Sequence, residues 1–330
     1  MSLSGAMPGV NCPVCSALCS EPPLYRYSTA EAAAHFCPVT RSEERYRRLE
    51  ACIRKLWQSE ECVILRCAKC GFAFGHPFVS GDEVFYNILH EQKGYPAWRW
   101  DYQVAVDEAL SKVHSGRILD IGAGEGKFLR RLGPNWLCYA VEASETNRKY
   151  LEGAGITVFR DLNAAAQVEV GTFHVVTLFQ VLEHIAGFRL LLSQCRQLLC
   201  PGGLLVVTVP DCDAMIRQER MTGCPDMPPN HINKWTPASL ALALRETGFE
   251  PGQAISEPPS WRKIGGNLYL RVSTDAKNPR SLAARIYRVR NKRLRAPLLM
   301  SLGVPMLLKM LPHFRQLRRG GAFGMVATAR

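Results

Sequence analysis

The C-terminal part of this sequence lacks acidic residues. Residues 276–330 contain 13 Lys or Arg and neither Asp nor Glu. The rest of the 330-residue chain holds 41 − 13 = 28 basic against 29 acidic residues, so the formal charge of +12 arises in the last sixth of the chain. This uneven distribution excludes a uniformly basic protein and indicates anionic partners for that one segment.

No secretory-leader pattern is visible in the first residues, and the basic part contains no uninterrupted apolar run. Residues 1–10 show no basic start followed by an apolar stretch, and the apolar run 296–312 has only 17 residues, with three prolines and a lysine. Such a run is too short and too broken to cross a membrane. We expect a cytoplasmic protein whose 13 cysteines bind metal or stay reduced, with a membrane-peripheral location as the alternative.

A glycine-rich turn stands near the middle of the chain. The apolar run around Ile118 and Ile121 ends in three glycines spaced two apart, and helix-forming residues follow over 127–132. This pattern predicts a strand, a tight turn and a helix, the opening of a parallel α/β unit. Glycines are required there because the backbone turns sharply and lets a ligand approach without a Cβ atom in the way.

The segment Asp120-x-Gly122-x-Gly124-x-Gly126 resembles the first motif of class I S-adenosylmethionine-dependent methyltransferases. Three later segments resemble that family's second strand, its fourth strand with the following loop, and the turn into its fifth strand: 139–142, 173–184 and 201–210. The resemblance implies an α/β fold with a Rossmann-like seven-stranded sheet, and S-adenosylmethionine as cofactor.

The resemblance also implies a set of donor-binding residues. Glu142 would accept hydrogen bonds from both ribose hydroxyls, as acids do in dinucleotide folds, and Asp161 would contact the adenine edge. The other implied contacts are Asp120, Gly122, Ala123, Gly124, Gly126, Ala143, Leu162, Phe179 and Gln180. From the residues alone, Glu142 could instead be a solvated strand end, and Asp161 a surface acid.

Three residues are the candidates for catalysis. Glu183 and His184 follow the predicted fourth strand, and His231 lies in a later loop. His184 could act as a general base, because imidazole titrates near neutrality. The trio also resembles the divalent-cation site of ubiquinone-pathway O-methyltransferases and of small-RNA 2′-O-methyltransferases, which makes Mg²⁺ a second possibility. Gln180 stands where the RNA enzymes have a further acid, and a Glu-His pair bonded to backbone at a helix start is the third alternative.

Two C-x-x-C pairs predict a zinc site in the N-terminal part. Cys12 with Cys15, and Cys67 with Cys70, would each supply two thiolates, enough to close a tetrahedron around Zn²⁺. The segment resembles the zinc-knuckle head that precedes some bacterial methyltransferase domains, although its gap of 51 residues is longer. Four reduced thiols are the alternative. Four more cysteines leave the ligand set open: Cys19, Cys37, Cys52 and Cys62.

These patterns suggest a division into four parts. We expect a zinc-knuckle domain with a helical insert over 1–100, a methyltransferase core over 101–274, a basic and apolar helical insertion over 275–320, and the last core strand over 321–330. A helix is predicted within 41–57, and another after Thr236. Leu268–Val272 and Gly324–Thr328 are predicted to be the last two strands, paired antiparallel.

The basic segment 281–320 has three possible roles. It could be a lid that packs its leucines on the core, a surface that lies in a membrane interface, or a grip on nucleic acid. Aromatic residues that would stack on single-stranded nucleic acid are scarce there. We therefore expect the lid first, a peripheral membrane contact second, and nucleic acid as the least favoured partner.

The expected reaction is in-line transfer of a methyl group from S-adenosylmethionine to a small-molecule, sugar or lipid-linked acceptor. The Glu183-His184-His231 set favours O-methylation. A nucleic-acid methyltransferase or binder, which would use the zinc knuckles and the basic tail, is the alternative, and a donor-binding regulator without turnover is a third. The sequence contains no signal for the oligomeric state or for the identity of the acceptor.

Overall fold

The computed structural model describes residues 9–39, 41–89, 99–278, 280–289, 291–310 and 314–330. Its strands are β1 (Val10–Asn11), β2 (Leu18–Cys19), β3 (Tyr25–Ser28), β4 (Glu61–Arg66), β5 (Ala73–His76), β6 (Gly116–Ile121), β7 (Trp136–Val141), β8 (Thr157–Phe159), β9 (Phe173–Phe179), β10 (Leu199–Pro210), β11 (Asn233–Lys234), β12 (Phe249–Ser256) and β13 (Ala322–Ala329). Its α-helices are α1 (Thr29–Phe36), α2 (Glu43–Trp57), α3 (Glu83–Leu89), α4 (Trp100–Ala105), α5 (Glu145–Glu152), α6 (Leu162–Val168), α7 (Phe188–Leu198), α8 (Cys212–Thr222), α9 (Pro237–Glu246), α10 (Trp261–Asp275), α11 (Leu282–Tyr287), α12 (Lys292–Met310) and α13 (Phe314–Arg318).

Seven strands form the central sheet, in the order β12-β13-β10-β9-β6-β7-β8. The five strands from β10 to β8 are parallel, and β13 runs antiparallel between β10 and β12. Leu119, Val176 and Val206 in the middle of the sheet are completely buried, because helices cover both faces of a parallel sheet. The predicted seven-stranded α/β architecture is confirmed.

The parallel strands all end at one edge of the sheet. The loops that follow β6, β7, β8 and β9 begin there, and they carry most of the candidate donor-binding residues. In open parallel sheets, ligands bind outside the carboxyl ends of the strands, where the strand order reverses. Here the reversal lies between the paired strands β6 and β9: the chain continues from β6 to β7 and β8 on one side, and from β9 to β10 on the other.

A second, smaller sheet joins the N-terminal part to the core. Its order is β11-β5-β4-β3, so a two-strand pairing links β5 to β11, which belongs to the loop between β10 and α9. Helix α2 packs on this unit through Leu49, Ile53 and Trp57, and it lies within the predicted helical range 41–57. The two parts therefore share hydrogen-bonded backbone as well as packed side chains.

The prediction of a strand at Leu268–Val272 is wrong. These residues lie in helix α10, whose N-cap Ser260 accepts a hydrogen bond from the backbone of Arg262. A short apolar run fits either element, and tertiary packing decides between them. The edge strand that pairs antiparallel with β13 is β12, in which Pro251 and Gly252 interrupt the pattern at a register shift. Because β12 is an edge strand, it tolerates a proline there.

The prediction of a helix over 127–132 is also wrong, because the helical segment that forms there is shorter. Only a single 3₁₀ turn, Leu129–Arg131, forms after the glycine turn. Gly133 and Pro134 follow at once, and the backbone cannot continue a helix through them at low cost. The chain returns to the sheet at β7.

Four helices, α10 to α13, lie between the edge strand β12 and the last strand β13. They correspond to the helical insertion expected before the last strand, although the helical region begins earlier, at Trp261. Among the described residues, no helix combines the length and the apolar character needed to cross a membrane.

Candidate active site and four-cysteine cluster

The glycine turn is open to a ligand at its centre. Gly122, Gly124 and Gly126 all have positive φ angles, of 75°, 56° and 66°, which residues with a Cβ atom rarely adopt. A Cβ atom on Gly126 would lie 2.3 Å from Leu151, whereas one on Gly124 would meet no atom within 4 Å. Gly126 is therefore needed for packing, and Gly124 leaves a space beside the backbone.

Asp120 is buried at the end of β6, under this turn. Its Oδ1 accepts a hydrogen bond of 2.8 Å from Thr177 on the neighbouring strand β9. Burial raises the pKa of Asp120 to about 7, and the hydrogen bond from Thr177 opposes that rise only in part. The carboxyl group is thus held in place beneath the loop and titrates near neutral pH.

Glu142 lies at the end of the adjacent strand β7 and faces the same turn. Its Oε2 accepts a hydrogen bond of 2.8 Å from the amide of Gly124, and its Oε1 accepts one of 2.8 Å from the amide of Ser144. The side chain is 9% exposed, so it is not the solvated strand end that the sequence alone allowed. It presents a fixed carboxylate beside the open space at Gly124, where it could accept hydrogen bonds from a diol.

The remaining donor-site candidates border the same edge of the sheet. Asp161 is the N-cap of α6 and accepts a 2.9 Å hydrogen bond from the amide of Ala164, so part of its bonding capacity is used by the helix. Phe179 packs against the rings of Tyr102 and Phe128. Gln180 has a positive φ of 58°, a strained conformation for a residue with a side chain. The other members of the set are the half-buried Leu162, the nearly buried Ala123 and the exposed Ala143.

Glu183, His184 and His231 come together although 47 residues separate the two histidines. The backbone amide of Ile232 donates to the carbonyl of Glu183, and the side-chain amide of Asn233 donates to the carbonyls flanking the Glu183-His184 pair. The two imidazole rings lie 4.7 Å apart between centroids. One ligand atom from each of the three residues lies within 4.8 Å of the other two.

The hydrogen bonds of the two histidines define their tautomers. Nδ1 of His184 lies 2.7 Å from the carbonyl oxygen of Asn230, and Nδ1 of His231 lies 2.5 Å from Oδ1 of Asp226. Because those oxygens only accept, both Nδ1 atoms carry a proton, and in the neutral rings each Nε2 keeps a lone pair. The site thus offers two imidazole nitrogens as bases or as ligands.

Asp226 supports His231 and was not found from the sequence. It accepts from His231 and from the buried ammonium group of Lys234, whose Nζ lies 3.4 Å from Oδ2. Burial would raise the pKa of Asp226, but His231 and Lys234 outweigh it and hold the pKa well below its usual range. Burial by itself would lower the pKa of His231. The adjacent carboxylate of Asp226 has the larger effect, so the pKa of His231 is raised above its usual value. No spacing rule connects an acid in a loop to a histidine five residues later, so the sequence contains no signal for this pair.

One oxygen of Glu183 lacks a partner among the described residues. The side chain is 1% exposed, and its Oε2 has no hydrogen bond. Burial raises the pKa of Glu183 to about 7, against the attraction of His231. A buried oxygen without a bond costs free energy, so this atom is suited to a proton, a cation or a substrate hydroxyl. The chemistry of the donor set, one carboxylate and two imidazoles, fits a divalent cation.

Arg99 was also missed by the sequence analysis. Its guanidinium group binds both oxygens of Asp101 and lies over the ring of Tyr102, 5.4 Å from the centroid. Burial raises the pKa of both Asp120 and Glu183, and the charge of Arg99 opposes that rise in each. It is therefore a cation between the glycine turn and the Glu183 group. No periodicity in the sequence marks it, since it stands in an irregular segment.

The four cysteines of the two C-x-x-C pairs form one cluster. The sulfur atoms of Cys12 and Cys70 lie 3.6 Å apart, and those of Cys15 and Cys67 lie 3.4 Å apart, with all four within 4.8 Å of one another. Zinc–sulfur bonds of about 2.3 Å in a tetrahedron require sulfur separations of about 3.8 Å. The cluster therefore fits Zn²⁺. The remaining candidates are outside it: Cys19, Cys37, Cys52 and Cys62.

This cluster is bonded at two points to segments that follow the central strands β9 and β10. The hydroxyl group of Thr236 donates to the carbonyl of Cys70 at 3.1 Å, and the guanidinium group of Arg189 donates to the carbonyls of Pro13 and Val14. Thr236 is the N-cap of α9 and lies five residues after His231. The position of the cysteine cluster is thus coupled to the loop that carries His231.

Known proteins resemble the part of the chain that contains this site. A methyltransferase domain family matches residues 100–254. The ubiquinone biosynthesis O-methyltransferase of Roseobacter denitrificans is 32% identical over 189 residues, which cover 49% of this chain and 73% of that protein. The protein with the same description from Cereibacter sphaeroides is 28% identical over 169 residues, 44% of this chain and 66% of that protein.

Among solved structures, a SAM-dependent methyltransferase from Archaeoglobus fulgidus has a TM-score of 0.41 at 18% sequence identity, over 69% of this chain and 94% of that chain. The resemblance seen in the glycine motif is confirmed by the domain match, whose residues 100–254 include the glycine turn, Glu142 and the Glu183-His184 pair, and by the Roseobacter relative. The chain belongs to the class I S-adenosylmethionine-dependent methyltransferases.

Proposed function

We propose that this enzyme methylates a hydroxyl group of a small-molecule or lipid-linked acceptor. The proposal rests on one observation: a buried oxygen of Glu183, which has no hydrogen bond from the residues that the structure describes, stands beside two imidazole rings at the edge of the sheet where ligands bind. The descriptions of the Roseobacter and Cereibacter relatives, both O-methyltransferases, support it. O-methylation needs a site that removes a proton, and this group can supply one.

The donor is proposed to lie across the glycine turn. The open space at Gly124 and the fixed carboxylate of Glu142 fit a nucleoside sugar, with Asp161 and Leu162 towards the base. When bound, S-adenosylmethionine supplies a methyl group that its sulfonium has already activated. The residues of the chain then mainly position two reactants and exclude water from them.

The proton of the acceptor is proposed to leave through the histidines. Each Nε2 offers a lone pair, and Asp226 stabilises the imidazolium form of His231. The same atoms, with Glu183, could hold Mg²⁺, which would lower the pKa of a bound hydroxyl. Turnover that survives a chelator favours the imidazole route, and turnover that Mg²⁺ restores favours the cation.

The N-terminal cluster is proposed to hold Zn²⁺ in a closed, structural site. Four cysteine sulfurs at these separations leave no open position for a substrate. The hydrogen bond from the Cys70 thiol holds the pKa of the Cys12 thiol below its usual range, which favours a thiolate ligand. The ion would stabilise the N-terminal sheet and, through β11, the loop of His231.

The test is an acceptor screen with isotopically labelled methyl donor. Phenolic and other hydroxylated compounds, free and lipid-linked, are incubated with the enzyme, and the products are analysed by mass spectrometry. We expect S-adenosylhomocysteine formation that depends on a hydroxylated acceptor and yields a methyl ether. Labelling only of amines or of RNA would refute the proposal, and so would donor binding without turnover on any acceptor.

A further inference from the structure

Among the side chains that the structure describes, helix α12 packs on the protein through the face that carries Gly303. Gly303 is buried there, and a Cβ atom at that position would lie 3.0 Å from a methyl group of Leu268 on α10. Leu299, Leu302 and Met306 lie on the same side and are half-buried. This inner face agrees with the prediction that segment 281–320 packs its leucines on the core as a lid.

The opposite face of α12 is apolar and exposed to solvent. Leu294, Leu298, Val304 and Leu308 are 58%, 43%, 59% and 60% exposed. At 3.6 residues per turn these four positions fall within an arc of about 120°. We call these four residues the outer stripe. Its neighbour on the arc, Ser301, donates its hydroxyl to the carbonyl of Leu298 and so presents little polarity.

Exposed arginines precede and follow the outer stripe along the chain. Arg285, Arg288 and Arg293 precede or begin the helix and are exposed, and Arg315 and Arg319 follow it and are exposed as well. Within the described part of the chain, none of these five guanidinium groups has an ion-pair partner. Residues 276–330 contain no acidic residue that could provide one locally.

We infer that the outer stripe is a docking surface for an anionic lipid bilayer. The four aliphatic side chains would enter the boundary between headgroups and acyl chains, while the arginines contact lipid phosphates. An anionic bilayer offers an apolar layer for the stripe and phosphates for the arginines, so it matches both the apolar character and the charge of this surface. RNA would leave the leucines in water, and a second copy of the chain would bring like charges together.

The consequence for the enzyme is a defined orientation on a surface. Helix α12 belongs to the insertion between β12 and β13, and α10 of the same insertion packs against α8. Helix α8 begins directly after β10, at the edge of the sheet where the site lies. A bilayer bound through α12 would therefore lie on the side of the insertion, and lipid-linked acceptors would be concentrated near the enzyme. The binding itself does not depend on the proposed O-methylation.

The experiment is sedimentation of the full-length protein with sucrose-loaded vesicles. Vesicles of phosphatidylcholine mixed with phosphatidylglycerol are compared with vesicles of phosphatidylcholine alone, at low and high salt. We expect the wild type to sediment with the anionic vesicles only, and salt to weaken its binding. Donor affinity, measured by calorimetry, reports whether each variant keeps its fold.

Two pairs of substitutions test the two halves of the surface. Leu294→Gln with Leu308→Gln should lower partitioning at least about tenfold, and Arg285→Gln with Arg288→Gln about fivefold per arginine. The matched control is Leu137→Gln with Leu190→Gln. These two leucines lie on β7 and α7, outside the insertion, and are 60% and 67% exposed. The control should bind like the wild type. If the first pair fails to fold, Leu308→Gln alone makes the same comparison, with a loss of about threefold.

Three results would overturn the inference. The first is a wild type that stays in the supernatant with anionic vesicles at low salt. The second is a control pair that loses as much binding as the stripe pair. The third is binding that the arginine substitutions weaken and the stripe substitutions leave unchanged, as expected for a purely electrostatic contact such as one with RNA.

Discussion

The backbone amide of Gly124 and the carboxylate of Glu142 are joined by a hydrogen bond of 2.8 Å, across the ends of two adjacent strands. This bond fixes the carboxylate beside the open space of the glycine turn without a charged partner. Since the second oxygen is held by Ser144, the side chain is preorganised for a ligand. A preorganised group binds a ligand without first losing conformational freedom.

The first prediction concerns the donor. Glu142→Ala removes a charged acceptor and should weaken S-adenosylmethionine binding about 10- to 100-fold. Gly124→Arg should abolish it, because a side chain would fill the open space and the φ of 56° would be strained. Calorimetric titration measures both affinities. Glu145→Ala, an exposed acid on α5, is the control; unchanged affinity in both variants would contradict the proposed donor site.

The second prediction concerns the support of His231 by Asp226. Asp226→Asn removes the charge that stabilises the imidazolium, so kcat should fall about 10²-fold or more. Donor affinity should stay unchanged, since Asp226 contacts no residue of the glycine turn in the described structure. Asp213→Asn, an exposed acid paired with Arg66, is the matched control. A loss of donor affinity equal to the loss of kcat would point to a general loss of structure.

The third prediction concerns pH and Asp120. Burial raises the pKa of this carboxyl to about 7, above its value of about 3.9 in an unfolded chain. The folded state therefore binds the proton more tightly, and the stability it gains is complete below about pH 4 and is lost as the pH rises through about 7. Without donor, Asp120→Asn should gain about 1–4 kcal/mol relative to the wild type over that range.

Urea unfolding at several pH values tests this gain. The asparagine can still accept the hydrogen bond of Thr177, so the fold should be kept. Asp107→Asn, an exposed acid that accepts from Gln103, should leave the pH dependence as in the wild type. A constant difference in the free energy of unfolding between pH extremes would show that Asp120 does not titrate in this range.

The fourth prediction concerns the cysteine cluster. Atomic emission should find one zinc ion per wild-type chain and none after Cys67→Ser with Cys70→Ser. The loss should lower the free energy of unfolding by several kcal/mol, because binding free energy of a structural metal is folding free energy. Turnover should fall more than donor affinity, since Cys70 is bonded to Thr236 and β5 to β11 near His231. Cys200→Ser, a half-buried cysteine far along the chain, is the control.

The donor loop and the cysteine cluster could be predicted from the sequence because both depend on short-range spacing. Asp120 and the three glycines occupy seven residues, and each C-x-x-C pair occupies four, so local chemistry alone requires those residues. The sequence failed at Leu268–Val272 because a five-residue apolar run is compatible with strand and helix, and packing against α8 and α12 favoured the helix. Strand β12 was not predicted because a proline and a glycine interrupt the pattern of this edge strand.

What the sequence by itself determined is the kind of protein: a parallel α/β sheet with a glycine turn for a methyl donor, preceded by two cysteine pairs and followed by a basic, apolar segment. Only the tertiary structure brought Asp226 against His231 and extended the N-terminal sheet with β11. The first contact lies within one loop, and the second joins two strands that are far apart in the chain. Their free energy depends on the position of the whole sheet, which no local pattern encodes.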